Sequence, residues 1–146
     1  MTKLRTALLL ASTLLGAVLL RASLLVLNAV PFNADEAIVA LMARHILRGE
    51  RPWFFYGQAY MGSLDAYLVA GAFKLMGESV LAIRMIQIAL FAATLVTSYI
   101  VAQRITDSSQ TASLTVLLLA FPPVLLTLYT TVSLGGYGEA LLIGNL

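Results

Sequence analysis

The chain has no cysteine, which excludes disulfides, thiolate metal sites and cysteine nucleophiles and removes any trace of redox compartment. Its one histidine, His45, has no second ligand at a suitable spacing, so it reads as a residue that packs or hydrogen-bonds on a helix, and no metal residues are assigned. Charge is scarce as well: 11% of the residues are charged, against about 25% in soluble globular domains. The basic residues, which leave a net charge of +2, are scattered. The positive stripe that neutralises several phosphates is therefore missing, and no nucleic-acid partner is expected. Internal repeats and low-complexity linkers are absent too.

What is abundant is apolar surface. Hydrophobic residues make up 60% of the 146 positions, and they form long blocks instead of being spread along amphipathic elements. Three blocks, about residues 7–30, 80–102 and 111–134, are long enough at 1.5 Å per residue to cross a hydrocarbon core of about 30 Å. The N-terminus, MTKLRTALLLASTLLGAVLL, starts like a signal peptide, but the apolar run resumes after Arg21 and continues through Val30; it reads as an uncleaved signal anchor. Lys3 and Arg5 place the N-terminus in the cytoplasm and the chain after Val30 outside it. The expected fold class is all-α: a polytopic helical membrane protein with three full spans and a first external loop over about residues 31–79. A further block, Leu64 to Met76, has 13 residues, and blocks of about 10–14 are more often interfacial or re-entrant than spanning. If it did span, there would be four crossings. The expected location is integral to a membrane: the plasma (inner) membrane of a bacterium, or an endoplasmic reticulum. The lipid bilayer is the first partner.

The external loop carries the most information. Asn33 can cap a helix that starts at Ala34, with Glu36 reaching back in a capping-box arrangement. Ile38, Leu41, Met42 and Ile46 then recur at helical spacing and Gly49 supplies a stop, which predicts an amphipathic helix lying on a membrane surface. Trp53, Phe54, Phe55, Tyr56 and Tyr60 follow, a cluster suited to the headgroup level. Tyr56 and Tyr60 are either interface anchors or platforms for a substrate. Further on, Pro122 and Pro123 fall inside the third block and predict a kink. The Gly135-Gly136-Tyr137-Gly138 run lacks the preceding strand of a phosphate-cradling loop and reads as a flexible turn. A new apolar run opens after Glu139, so the chain is expected to continue beyond it.

Asp35 and Glu36 are the chemical candidates. A helix N-terminus favours their ionised forms, so either can serve as an anionic base or hold a cation, and either can simply cap the helix. Arg21, well inside the first span, is expensive there. It marks a functional candidate, or else it snorkels outward or pairs with an acid elsewhere.

The runs NADEAIVALMARHILRGE, PWFFYGQAYMGSLDAYLVAGAFKLMGES and AIRM, in that order, resemble the N-terminal part of the GT-C class of membrane glycosyltransferases. That class includes the dolichyl-phosphate-mannose protein mannosyltransferases and the aminoarabinose transferases acting on lipid A. The likeness covers about residues 5–145 and only the first portion of a typical member. It implies that residues 1–146 are the N-terminal membrane portion of a longer transmembrane domain, inactive as a fragment. It also implies a polyprenyl-phosphate-linked sugar as donor, with the acceptor unidentified. Asp35 is then implied to be the base that takes the proton of an acceptor hydroxyl, Glu36 its support, and Glu139 the second acid of the next external loop. No cofactor is certain; a divalent cation is compatible with two carboxylates and a phosphate. The sequence departs from the aminoarabinose branch at Tyr60, Met61, Gly62 and Ser63, where that branch has a basic residue and a proline pair. Phosphate contact then passes to Arg84, whose guanidinium can pair two oxygens, unless Arg84 snorkels from a helix end. The alternative function is a non-enzymatic transporter or assembly subunit whose external acids only cap a helix.

Overall fold

The computed structural model describes residues 3–146. Among them seven helices and one hairpin follow in the order α1 (Lys3–Val26), α2 (Ala34–Leu47), β1 (Phe54–Phe55), β2 (Gln58–Gly62), α3 (Leu64–Met76), α4 (Val80–Thr106), α5 (Ser109–Ala120), α6 (Val124–Tyr129) and α7 (Tyr137–Gly144). The chain is mostly helical as expected. The β1–β2 ribbon is an addition, antiparallel and closed by Tyr56 and Gly57, with Gly57 at a φ of 80° that glycine adopts at no steric cost. Serine caps set several of the boundaries. Ser79 accepts from the Ala82 N–H at 3.1 Å to start α4, and Ser108 accepts from the Thr111 N–H at 3.2 Å to start α5. Between these two helices Asp107 turns the chain with a left-handed φ of 49°.

α1 and α4 are long and apolar enough to cross a membrane. The third block behaves differently. Instead of one kinked span it is divided into α5 and α6, with residues 121–123 outside any helix. Proline at 122 and 123 supplies no N–H for a helical ladder and excludes helical geometry from the residue before it, so the helix stops and restarts. A third continuous spanning helix is therefore not seen among the described residues. The gap is filled by packing: the Phe121 ring sits where a Cβ on Gly16 would lie 3.3 Å from it.

Side-chain contacts give the directions. Arg84, early in α4, reaches the Val30 and Pro31 carbonyls just past α1, and Phe91, further along α4, lies under Arg21 of α1. The two long helices are thus antiparallel. The α5–α6 segment then runs parallel to α1, meeting Gly16 at Phe121 and Arg21 at Thr130. One apolar cluster, built on Ala17, Phe91, Leu95, Val116 and Ala120, ties α1, α4 and α5 together.

A second cluster lies at the end of the bundle where α1 ends and α4 begins. Val39, Met42 and Ala43 of α2 pack on Ala66, Val69, Ala70 and Phe73 of α3 and on Ile83 of α4. The apolar face of α2 is therefore taken up by its neighbours, leaving Leu41 and Leu47 exposed. A ready protein partner in α3 satisfies the stripe that alone predicts a surface helix. α3 starts beside Gln87, one turn past Arg84 in α4, and ends next to Val80, so it stays at this end of α4.

Candidate functional site

The N-terminus of α2 is built as a reciprocal cap. The Asn33 side chain accepts from the Glu36 N–H at 3.0 Å, and the Glu36 carboxylate accepts from the Asn33 N–H at 3.4 Å. Glu36 is wholly buried, which for a carboxylate requires a counter-charge. Arg84 supplies it: Nε donates to Oε1 and Nη2 to Oε2, both at 2.9 Å, while Nη1 donates to the Val30 carbonyl at 2.9 Å and Nη2 to that of Pro31 at 3.2 Å. The guanidinium expected to meet a phosphate is thus engaged by the chain itself. It fastens the α1–α2 connection and the cap of α2 to α4. Asp35, one residue before Glu36, is half-buried, and among the described residues its carboxylate has no hydrogen-bond partner.

Glu139 belongs to a different cluster, whose other members are not recognisable as a set from the sequence. Its Oε1 accepts the Asp65 N–H at 3.1 Å. This bond caps α3 from a distant segment, because the adjacent Ser63 hydroxyl is turned to the Pro52 carbonyl and makes no cap. The Asp65 carboxylate accepts from Gln87 Nε2 at 2.8 Å and from the Ser133 hydroxyl. All four side chains are buried. Asp65 stands at the start of a short apolar block, Gln87 inside a spanning-length one and Ser133 at the end of another. Each is a polar residue in an apolar stretch, and that was the available signal; their shared location was not. Burial pushes the Asp65 carboxyl up, opposed by its bonds from Ser133 and Gln87. Burial, and then the charge of Asp65, push Glu139 up to about 7.

Beside this cluster a groove of about 340 Å³ runs between Tyr60, Met61 and Gly62 of β2 and Gly135, Gly136, Tyr137 and Ala140. The glycine run is packed here, not loose. A Cβ on Gly135, whose φ is 74°, would lie 2.8 Å from the Phe55 ring, and one on Gly138 would lie 2.6 Å from Gln87 Oε1. Tyr60 projects from the ribbon with 84% of its surface exposed and donates to Gln58 at 3.0 Å. Tyr56 lies elsewhere, its hydroxyl donating to Glu50 at 3.1 Å and lying 2.9 Å from His45 Nδ1. Burial and Glu50 raise the Tyr56 hydroxyl above its ordinary value.

The sequence candidates thus divide into groups. Glu36 and Arg84 are joined, Glu139 is joined to Asp65, Tyr60 borders the groove, and Tyr56 is tied to His45. No hydrogen bond links Asp35 to any of them. Arg21 is fully buried, stacked 3.4 Å from the centroid of the Phe91 ring, and donates to Thr130 at 2.7 Å and to the Ala17 carbonyl at 3.3 Å. Among the described residues no group of three or more His, Asp or Glu side chains is placed to hold a metal ion. No protein-family model, curated protein or solved structure matches the chain.

Proposed function

We propose that this chain is the N-terminal membrane portion of a GT-C-like glycosyltransferase, which moves a sugar from a polyprenyl-phosphate donor to an acceptor on the non-cytoplasmic side. The observation that carries the reading is the unequal treatment of the acidic pair. Arg84 fixes Glu36 at two points and removes it from chemistry, while Asp35 stands half-buried and unengaged in the first turn of α2. A base must have its lone pairs available and its backbone held, and the capped, ion-paired start of α2 meets both needs. Arg84 acts here as a positioning residue.

The membrane setting is part of the proposal. Apolar residues such as Leu8, Leu15 and Leu19 on α1 and Leu118 on α5 point outward. Only 17% of the apolar stretch of α1 is buried within the chain, a surface suited to lipid tails. α1 and α4 then cross in opposite directions and the broken α5–α6 segment returns, with the N-terminus cytoplasmic. A helix interruption inside lipid is tolerated when protein packs against it, as α1 does at Phe121.

The test is sugar transfer by the complete protein in membranes, supplied with a polyprenyl-phosphate sugar. Asp35→Asn is expected to lower turnover by about 10²–10⁴-fold, the ordinary contribution of a general base. Full activity in that variant sinks the reading.

One observation favours a second, non-enzymatic reading as a transporter or assembly subunit: the cap and the Arg84 pair account for Glu36 completely without a substrate. Transport or assembly that survives replacement of both Asp35 and Glu36, with no sugar transfer at all, would support it.

A further inference from the structure

We propose that Asp65 and Glu139 form a proton-binding pair that keeps one proton, on Glu139, until the pH rises to near neutrality. The inference does not depend on the transferase reading.

The argument starts from charge. Asp65 is 2% exposed and Glu139 7%, and a buried carboxylate needs a cation, a full set of donors or a proton. The charged groups facing the pair come from two neighbouring helices. Glu36 of α2 is the charge that acts on Asp65, and Arg84 of α4, the partner of Glu36, has its guanidinium already divided among Glu36, Val30 and Pro31. The remaining neighbours are neutral: Gln87 on α4, Ser133 on the segment before α7, and the tyrosines bordering the groove. Three buried acids and one buried base therefore share this end of the bundle.

Hydrogen bonds decide which carboxyl carries the proton. Both Asp65 oxygens receive a side-chain donor, one from Gln87 and one from Ser133, and donors stabilise the anion. Glu139 receives no side-chain donor among the described residues: Oε1 accepts the Asp65 N–H, and Oε2 is buried with no partner. An anionic oxygen with no donor is far costlier there than a neutral O–H with no acceptor. The proton belongs on Glu139, next to the groove between β2 and α7, and the upward displacement of that group to about 7 agrees. Because the two acids interact, the titration near neutrality belongs to the pair.

Release of the proton would set two adjacent buried anions across the contact between α3 and α7. The far end of α7 is held separately, by Asn145 donating to Ser98 at 2.8 Å and to Thr97 at 3.1 Å. The first turn of α7 is the part that responds.

The experiment is isotope-edited infrared titration of the full chain in lipid vesicles, with ¹³C-labelled glutamate, so that the four glutamates (36, 50, 78 and 139) are read apart from the aspartates. The expected result is one glutamic-acid carbonyl band that survives to near pH 7 and is absent in Glu139→Gln. In Asp65→Asn the midpoint should fall by about one pH unit or more, since a neighbouring charge has been removed. If Glu139→Gln does not fold, the shift of the labelled band between wild type and Asp65→Asn still decides. The proposal is overturned if every glutamate ionises near the ordinary value of about 4.3. It is also overturned if the band persists in Glu139→Gln, or if Asp65→Asn leaves the midpoint in place.

Discussion

Arg84 and Glu36, 48 positions apart, meet in a two-point ion pair with both N–O distances at 2.9 Å, and this pair joins the start of α4 to the start of α2. Neither side chain has water to fall back on, being 6% and 0% exposed. Arg84→Ala should therefore destabilise the fold by about 3–5 kcal/mol, the cost of stranding a buried charge. Arg84→Lys keeps the charge but loses the fork and should lie between Ala and wild type. Thermal unfolding in detergent, followed by helical circular dichroism, measures both; an unshifted melt for Arg84→Ala would contradict the pairing.

Stability should depend on pH through Glu139. Its pKa is about 7 in the folded chain against an ordinary 4.5, so between these values the folded state binds more protons than the unfolded one. The contribution of the group is fully present below about 4.5 and is lost as pH rises through about 7. Denaturant midpoints taken across that window should fall with rising pH, and the slope should flatten in Glu139→Gln.

The glycines of the 135–138 turn are expected to be intolerant. Gly135→Ala meets both a φ of 74° and the Phe55 ring, and Gly138→Ala meets Gln87 Oε1. Each should cost about 1–3 kcal/mol by overpacking. Gly71→Ala is the control: it lies inside α3 with nothing within 4 Å of the added carbon, and it should be neutral or stabilise by up to about 1 kcal/mol through helix propensity. Chemical denaturation of the three variants side by side makes the comparison.

Topology can be read with single cysteines, since the native chain has none. Ala59, Tyr137 and Ser109 are exposed positions. In the proposed arrangement an impermeant thiol reagent applied to intact cells labels cysteines at 59 and 137, and not at 109. Labelling at 109 together with protection at 137 would reverse the placement of the third segment.

Local signals were legible at several points. Asn33 and Glu36 enclose their own helix start within four residues, and the cap is present as expected. The short block 64–76 is a helix over those same residues. Gly49 stands at a φ of 101° just past α2. Where the outcome depended on a neighbour, the sequence was silent or incomplete. The stripe on α2 implied a helix lying on a membrane surface, whereas α3 and α4 take up its apolar face. The proline pair implied a bend, and only the packing of Phe121 on Gly16 shows how a full break is accommodated.

The amino-acid sequence by itself determined the long apolar helices, the acidic first turn of α2 and the absence of thiol chemistry, because these follow from composition and from contacts a few residues apart. Tertiary structure alone decided that Arg84 serves Glu36, and that Asp65, Gln87, Ser133 and Glu139 converge on one buried point. The physical reason is that a buried charge is settled by whichever group the fold brings within about 3 Å, and four different segments supply those groups here.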